Sequence, residues 1–301
     1  MIEVNGLSKS FGSVKAVDDL NFKVKDGEVF GYLGPNGAGK TTTVRMLCCL
    51  LKPDSGSALI NGYYINKEPD KIRSLIGLLP EVPGFYNSLS LVKNLLFYSR
   101  LQGINDDKAL KRINDYLNLL GLKSRKDDAL GSFSKGMQQK VAIIRALIHE
   151  PKYLFLDEPT ASLDPQAAKT VRDFIIKLKE KNRVIFINTH NLSEAQRICD
   201  RVAVLNKKVL SIGSPKELSK TLFKPKTVIK LSSINNRLKN SLKGCDFEVK
   251  GDELIFNVND PIKDNPLLVK KIVKSGGRIL SVNESEHSLE DVYLKLVGET
   301  K

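Results

Sequence analysis

Short apolar runs alternate with helical stretches over the first two thirds of the chain. The runs, rich in β-branched and aromatic residues, occur at 28–33, 153–156, 184–187 and 202–205. Between them, apolar residues recur at helical spacing. This alternation is typical of a largely parallel sheet covered by helices. The pattern therefore predicts an α/β domain over residues 1–215.

One segment inside this domain carries no strand signal. Between about residues 88 and 150 the apolar positions recur every three or four residues, which indicates amphipathic helices. These positions are Leu89, Val92, Leu95, Leu96, Leu110, Ile113, Leu117 and Leu120. We therefore expect a helical subdomain inserted at about 88–150, with the strands resuming after it.

The pattern changes again beyond Pro215. A strand is predicted over 227–231, and a hairpin joins 247–250 to 254–256 around Gly251 and Asp252. A helix over 267–274, a strand over 279–282 and a last helix from Leu289 follow, and Ser288 with Asp291 resembles a capping box. These elements predict a separate, small α+β domain over 225–301.

Composition narrows the class of protein. The 301 residues are 41% apolar, but the longest uncharged apolar runs are far shorter than the ~20 residues that cross a bilayer. The first residues do not resemble a secretory signal, so we expect a cytoplasmic protein. The four cysteines lack the spacing of a zinc site. The net charge of +14 comes from scattered lysines, which favours a solvated surface but leaves an anionic membrane face or nucleic acid open.

A glycine-rich loop between a predicted strand and a predicted helix carries the clearest chemistry. Residues 34–41 read GPNGAGKT and fit the phosphate-binding pattern G-x-x-x-x-G-K-[ST]. In such a loop the backbone N–H groups and the helix N-terminus bind phosphate oxygens, the lysine neutralises β/γ charge and the hydroxyl ligates Mg²⁺. The predicted nucleotide-binding residues here are Asn36, Gly37, Ala38, Gly39, Lys40, Thr41 and Thr42.

Two carboxylates end the apolar strand at 153–156. Asp157 and Glu158 lie where a parallel sheet presents its ligand-binding edge. We expect Asp157, with Thr41, to hold Mg²⁺, and Glu158 to polarise the attacking water as general base. Together with the loop, these residues predict a P-loop NTPase that binds ATP and Mg²⁺.

Further motifs resemble those of the ABC ATPase family. Residues 133–139, FSKGMQQ, resemble the family's signature L-S-G-G-Q: Ser134, Gly136 and Gln138 fit it, while Lys135 and Met137 depart from it. In the family this segment covers the nucleotide of the opposite protomer. The resemblance therefore implies an ATP-dependent head-to-tail dimer, as a homodimer or with a second ATPase subunit.

Other family motifs follow in the family's order. Residues 161–164, with Asp164, resemble the D-loop, and His190 after a strand resembles the H-loop histidine, which contacts the γ-phosphate and orders the water. Phe11 occupies the place of the aromatic residue that stacks on adenine. The segment 76–81 resembles the Q-loop, except that Glu81 replaces the usual glutamine. Glu81 can still ligate Mg²⁺, although it adds charge beside Asp157 and Glu158.

The resemblance covers residues 1 to about 215 and is closest to ATPase subunits of export-type transporters. It implies an ABC-type P-loop NTPase with a helical subdomain that powers transport through a separate transmembrane permease, peripheral on the inner face of the cell membrane. The segment 81–86 and the following helix are expected to contact the permease. A soluble ABC ATPase that acts on nucleic acid or ribosomes, and a nucleotide switch with little hydrolysis, remain alternatives; direct nucleic-acid binding is not expected.

Overall fold

The structure is a computed structural model that describes residues 1–161, 163–180, 182–285 and 287–298. The chain forms two compact units that divide between Ile212 and Gly213. The sequence-based bounds, 1–215 and 225–301, leave residues 216–224 in neither domain. The structure places the helix Pro215–Leu222 in the second unit, because it packs against the final helix, Leu289–Gly298.

Two sheets organise the first unit. Their strands are β1 (Ile2–Phe11), β2 (Val14–Val24), β3 (Val29–Leu33), β4 (Ser55–Ile60), β5 (Tyr63–Tyr64), β6 (Ile76–Leu79), β7 (Tyr153–Asp157), β8 (Val184–Thr189), β9 (Arg201–Asn206) and β10 (Lys208–Gly213). The six-stranded sheet has the order β10-β9-β3-β8-β7-β6, and the four-stranded sheet has the order β2-β1-β4-β5. Strands β9, β3, β8, β7 and β6 run parallel, so the predicted parallel sheet is confirmed.

Every residue of β3, β7 and β8 is buried, as expected for central strands of a parallel sheet covered on both faces. Aromatic rings fill the space between the two sheets. Phe186 lies 5.0 Å from Tyr32 and 5.2 Å from Phe155, measured between ring centroids, and Phe22 stacks on Phe30 at 5.7 Å. This core fixes the carboxyl edge of the sheet, where the predicted site residues lie.

The helices of the first unit are α1 (Lys40–Leu47), α2 (Pro69–Leu75), α3 (Leu91–Leu101), α4 (Asp106–Leu119), α5 (Lys135–Leu147), α6 (Pro165–Lys179) and α7 (Leu192–Ile198). Helices α3 to α5 occupy the interval between β6 and β7, which contains 3₁₀ turns at Lys123–Arg125 and Leu130–Ser132. An isolated bridge between Ser90 and Ala129 closes this interval at its base. The helical character expected for residues 88–150 therefore matches the structure.

The residue pattern after the glycine-rich loop predicts a helix over 42–51, and α1 departs from these bounds at both ends. It begins two residues earlier, because Gly39 adopts φ +91° and releases the chain directly into the helix. It ends four residues earlier, because Cys49 adopts φ +56° and the amide groups of Leu50 and Leu51 both turn back to the Arg45 carbonyl. Such a left-handed residue and returning amides terminate a helix.

The second unit has its own sheet and core. Its elements are α8 (Pro215–Leu222), β11 (Lys226–Leu231), α9 (Asn236–Ser241), β12 (Phe247–Lys250), β13 (Glu253–Asn257), α10 (Pro261–Lys274), β14 (Ile279–Ser285) and α11 (Leu289–Gly298). The strands form an antiparallel sheet in the order β12-β13-β11-β14. The core is built from Ile229, Leu231, Leu238, Leu242, Leu254, Phe256, Val258 and Ile272.

The predicted hairpin around Gly251 and Asp252 is confirmed by the pairing of β12 with β13. The capping box at the start of α11 is also confirmed: the Ser288 amide donates to Asp291 Oδ2 (2.9 Å), and the Asp291 amide donates to Ser288 Oγ (3.1 Å). Helix α10, however, begins at Pro261 and not at 267. Asp260 caps it by accepting from the Ile262 amide (3.1 Å), and Pro266 is accommodated inside.

Candidate nucleotide site

The glycine-rich loop connects β3 to α1. A side-chain carbon on Gly39 would lie 2.4 Å from the Ala16 carbonyl oxygen, so the loop requires glycine here for space as well as for its positive φ. Lys40 is buried, and its Nζ donates to the carbonyls of Gly34 (2.8 Å) and Pro35 (3.1 Å). Asn36 and Gly37 are exposed at the loop tip. The amine of Lys40 is thus held inside a loop whose tip is open.

Behind this loop, Thr43 ties α1 to the sheet. Its hydroxyl donates to the Gly39 carbonyl (2.9 Å) and accepts from the buried Tyr32 hydroxyl (3.2 Å). Thr41 and Thr42 are half-buried on the first turn of α1. The hydrogen bonds of Thr43 to Gly39 and Tyr32 therefore hold the first turn of α1 against the sheet. Thr41 on this turn occupies the position that the motif assigns to a metal ligand.

Asp157 and Glu158 follow each other at the carboxyl end of β7, in different environments. The Asp157 carboxylate is buried and accepts a hydrogen bond from Asn188 Nδ2 (2.6 Å). Glu158 adopts φ +48°, and its amide donates to the Asn188 carbonyl (2.8 Å). Asn188, which the sequence reasoning did not single out as a site residue, thus positions both acidic residues.

The Glu158 carboxylate is held at both oxygens. Thr189 Oγ1 donates to Oε2 (2.8 Å), whereas the His190 amide donates to Oε1 (3.0 Å). His190 Nδ1 lies 2.6 Å from Oε1, within hydrogen-bond distance. The structure therefore brings together the two residues predicted to be catalytic, and adds Thr189 as a third partner.

Burial shifts the pKa values of Asp157 and Lys40 in opposite directions. Burial, reinforced by the charges of Glu158 and Glu81, raises the pKa of Asp157 to about 6, although Asn188 and Lys40 oppose this shift. Burial also lowers the pKa of Lys40, while Glu158 and Asp157 act to raise it. The three carboxylates create an excess of negative charge at this edge, which suits a cation.

A pocket of about 430 Å³ opens in front of these carboxylates. Its lining brings together several predicted site residues, namely Glu81, Gln138, Asp157, Glu158 and His190. Loop residues 34–42 are not part of this lining, nor are Phe11, Ser134, Gly136 and Asp164. Among the residues that the structure describes, no three His, Cys, Asp or Glu side chains converge on one metal position.

Ser134 lies at the N-terminus of α5, where its Oγ accepts from the Met137 amide (3.3 Å). Gln138, predicted to contact nucleotide, points its Nε2 to the carbonyls of Leu130 (3.2 Å) and Phe133 (3.4 Å) and so stabilises its own loop. The next residue, Gln139, was missed by the sequence reasoning. Its Nε2 donates to the carbonyls of Glu158 and Pro159, both at 3.3 Å, and connects α5 to the acidic pair.

The remaining predicted residues lie apart from the pocket. Asp164 caps α6, because its Oδ1 accepts from the amides of Gln166 (3.0 Å) and Ala167 (2.9 Å). Ser162 of the predicted D-loop lies outside the described residues. Phe11 is 52% exposed at the end of β1, and Lys9 Nζ lies 5.8 Å from its ring centroid. An exposed aromatic face is compatible with adenine stacking.

Comparison with known proteins identifies the family. The family model described as ABC transporter matches residues 17–161. The bacitracin transport ATP-binding protein BcrA of Bacillus licheniformis is 39% identical over 302 residues, which span 99% of this chain and 97% of the relative. The chain belongs to the ABC transporter family.

A second relative and a solved structure support this family assignment. The Nod factor export ATP-binding protein I of Cupriavidus metallidurans is 33% identical over 301 residues, covering 99% of this chain and 97% of that protein. The structure resembles the ATP-binding cassette MJ0796, solved as a dimer in a post-hydrolysis state with ADP and Pi. The TM-score is 0.66 and the identity 25%, over 71% of this chain and 98% of the cassette.

This chain is therefore the ATP-binding and ATP-hydrolysing subunit that powers transport through a separate permease. The expected α/β fold of the ABC type is confirmed. No helix in the described part of the chain has the length and apolar character needed to span a bilayer. The two relatives named above, which match nearly the full chain, are named for bacitracin transport and Nod factor export, which favours this function over the nucleic-acid and switch alternatives.

Proposed function

We propose that this chain drives an exporter, and that two ATPase subunits close head to tail on ATP. Each loop around Lys40 binds a nucleotide, and the Ser134–Gln138 segment of the opposite subunit covers it. The second subunit is another copy or a related ATPase. The N-terminus of α5 supports this arrangement, since Ser134 and Lys135 are exposed and the first turn contains no acidic residue.

The observation that carries the catalytic proposal is the set of hydrogen bonds on Glu158. A carboxylate fixed at both oxygens by Thr189 and His190 is positioned to accept the proton of an attacking water. As the water oxygen bonds to the γ-phosphorus, the bond to the bridging oxygen breaks and ADP leaves with that oxygen. Lys40 stabilises charge on the β- and γ-phosphates, and His190 contacts the γ-phosphate and orders the water.

We include Mg²⁺ as a cofactor, held by Thr41, Asp157 and Glu81. The donor set fits, because all three offer oxygen atoms and because the like charges that raise the pKa of Asp157 are relieved by a cation. Few protein ligands are needed, since Mg²⁺ usually combines one or two carboxylates with phosphate oxygens and water. When bound, the ion would neutralise charge on the phosphates during transfer.

We place the protein in the cytoplasm, peripheral on the inner face of the cell membrane, with residues 81–86 and α3 toward the permease. Val82 is 79% exposed and Tyr86 is 50% exposed, as expected for a contact surface. Phe85, by contrast, is half-buried beneath the guanidinium of Arg145 (5.1 Å), so it belongs partly to the fold. The second unit is proposed to be an accessory domain.

Mixing two inactive variants tests the composite site. Ser134→Arg blocks the covering segment, and Glu158→Gln removes the general base. In a mixed head-to-tail dimer one of the two sites is intact, so an equal mixture should recover about a quarter of the wild-type ATPase activity, whereas each variant alone stays inactive. No recovery, in a mixture shown by tagged co-purification to contain mixed dimers, would mean that each chain builds its site alone.

A further inference from the structure

A pocket of about 220 Å³ lies within the second unit. Its described lining comes from α8, from the segment that joins α8 to β11, from the start of α10, and from the end of β14 with His287 just beyond it. Part of its wall is apolar or aromatic, formed by Phe223, Pro225, Pro261 and Ile262. The volume is below the ~300 Å³ at which pockets begin to hold drug-sized ligands, so a smaller ligand fits this pocket.

Lysines dominate the charged part of this lining. Four of them come from the short segment 216–226, and the two carboxylates of the described lining, those of Asp260 and Glu284, oppose them. Asp260 is engaged elsewhere, because its Oδ1 caps α10 and its Oδ2 lies 3.4 Å from Lys263 Nζ. In the part of the chain that the structure describes, no carboxylate forms an ion pair with three of the lysines, Lys220, Lys224 and Lys226. The pocket therefore presents positive charge that the described residues do not compensate.

His287 contributes a fixed imidazole to the same pocket. Its ring stacks on Phe223, with 4.0 Å between the centroids and 14° between the planes. Burial lowers the pKa of His287, and the charges of Lys226 and Lys295 lower it further against the opposing effect of Asp291, so the ring is neutral near pH 7. Its Nδ1 lies 3.7 Å from Asp291 Oδ2, beyond hydrogen-bond distance, and no described residue forms a hydrogen bond with either ring nitrogen. A neutral imidazole carries one N–H, which is therefore available to an acceptor on a ligand.

We propose that this pocket binds a phosphate monoester, carried either by a small organic molecule or by a lipid headgroup. The described lining holds four lysines against two carboxylates, and a phosphate monoester carries about 1.5 to 2 negative charges at pH 7, so the ligand balances the excess. Lysine binds phosphate as a point charge, and the His287 N–H donates to a phosphate oxygen. The carbon atoms next to the phosphate contact the apolar wall, where Ile262 is 84% exposed. The inference goes beyond the proposed function, since every one of these groups belongs to the second unit.

Hydrogen exchange of the full chain, read by mass spectrometry, tests the site. Peptides from 216–231 report on this pocket, and peptides from 34–42 report separately on any binding at the nucleotide site. The soluble probe is sn-glycerol 3-phosphate. The lipid probe is a phosphatidylcholine vesicle with phosphatidic acid, a phosphate monoester, and its control is a vesicle of equal charge with phosphatidylglycerol, a diester.

We expect slower exchange over 216–231 with a monoester probe and not with the phosphatidylglycerol vesicles. Slower exchange with glycerol phosphate identifies a soluble ligand, whereas slower exchange with phosphatidic acid vesicles alone identifies a lipid headgroup. No change over 216–231 with either monoester overturns the inference. An equal effect of the phosphatidylglycerol vesicles also overturns it, because charge alone would then account for the binding.

Charge variants give an independent measurement of the same binding. Lys224→Glu and Lys226→Glu should each weaken the affinity for the monoester by about tenfold or more, whereas Lys226→Arg should stay within about threefold of the wild type. Lys270→Glu is the matched control, since Lys270 is exposed on α10 and outside the lining, and it should leave the affinity unchanged. His287→Phe retains a ring against Phe223 but removes the N–H, so it should weaken binding by about threefold. Exchange of β11 and β13 without ligand verifies that each variant is folded, and unchanged affinity in both lysine-to-glutamate variants of the pocket refutes the site.

Discussion

At the scale of single residues, hydrogen bonds orient the Glu158 carboxylate from behind. Thr189 contributes twice: its hydroxyl donates to Glu158 Oε2 and accepts from the Asn191 amide (3.0 Å). The side chain therefore connects Glu158, the proposed general base, to the start of α7. A backbone φ of +48° at Glu158 adds to the cost of this geometry, so the neighbouring contacts must maintain it.

Replacement of Thr189 by valine measures how much its hydrogen bond to Glu158 contributes to catalysis. The isosteric change removes one hydrogen bond to a charged group, worth about 1.5 kcal/mol, so kcat should fall roughly tenfold while the KM for ATP changes little. Thr189→Ser retains the hydroxyl and should stay within about threefold of the wild type. Steady-state kinetics checks both variants, and a Thr189→Val enzyme with normal kcat would show that His190 alone orients Glu158.

The shifted pKa of Asp157 predicts a pH-dependent stability. Between the ordinary carboxyl pKa of 3.8 and about 6, the folded chain retains a proton that the unfolded chain has released. Folding stability therefore falls as the pH rises through this range. Asp157→Asn removes the ionisation, and its amide oxygen can still accept from Asn188. This variant should be about 1–3 kcal/mol more stable than the wild type at pH 7, and equally stable near pH 3.5.

Urea unfolding without divalent ions or nucleotide, at both pH values, measures this difference. Asp127→Asn is the matched control, since its side chain is 82% exposed and should not change stability at either pH. A stability gap between Asp157→Asn and the wild type that is the same at both pH values would contradict the assigned cause.

Local motifs in the sequence were sufficient to select candidate site residues that lie close together in the structure. Lys40, Asp157, Glu158 and His190 were predicted from loop and strand-end positions, and the structure puts the last three in one pocket. It was insufficient for Asn188 and Gln139, whose amides act on residues 31 and 19 positions away. Polar residues in a strand and in a helix give no local signal of such contacts.

At the scale of elements, glycine-dependent packing positions α5. Gly77 in β6 has an ordinary backbone, but a side-chain carbon there would lie 2.1 Å from the Ala146 carbonyl oxygen and 2.8 Å from Pro151 Cγ. Helix α5 thus packs directly on the backbone of β6. Since α5 carries Ser134 at its start, this contact positions the segment that resembles the family signature.

Gly77→Ala should therefore lower both the stability of the protein and its ATPase activity. Displacement of α5 should lower the free energy of unfolding by roughly 1–3 kcal/mol and reduce ATPase activity. Gly298→Ala is the control: no atom of the described residues lies within 4 Å of the added carbon, and helix propensity favours alanine. Denaturant titration with parallel ATPase assays makes the comparison. A Gly77→Ala protein of normal stability would show that α5 can shift without cost.

At the scale of elements, the ends of helices were predicted least accurately from the sequence, for reasons that the structure shows. Helix α1 ends at a cysteine in the left-handed region, a conformation that residue type does not indicate. Helix α10 contains Pro266, which lacks the N–H of an intrahelical hydrogen bond and normally ends a helix, yet the helix continues past it to Lys274. Strand positions were predicted better, because burial on both faces leaves continuous apolar runs.

At the scale of the whole molecule, the two units have separate cores. Among the described residues, the buried core of the second unit comes from residues 229–272, with Ile279 packed against it, and shares no residue with the core of the first unit. The sequence predicted this division from the change in pattern beyond Pro215. It placed the end of the first domain three residues late and the start of the second at 225, so that α8 fell in neither domain.

Removal of a core side chain should therefore destabilise mainly the unit that contains it. Phe256→Ala removes a ring that is 1% exposed and should destabilise the second unit by about 3–5 kcal/mol, while ATP binding persists. Phe186→Ala, under the nucleotide site, should impair ATP binding. Hydrogen exchange read by mass spectrometry should show faster exchange beyond Gly213 in the first variant. Faster exchange throughout the chain would instead mean that the units unfold together.

The separate core of the second unit also has an evolutionary consequence. Its residues are not shared with the core of the first unit, so substitutions can accumulate in it while the ATPase keeps its own packing. The same independence makes chimeras practical: joined near Gly213, the accessory module of one relative can be combined with the ATPase of another.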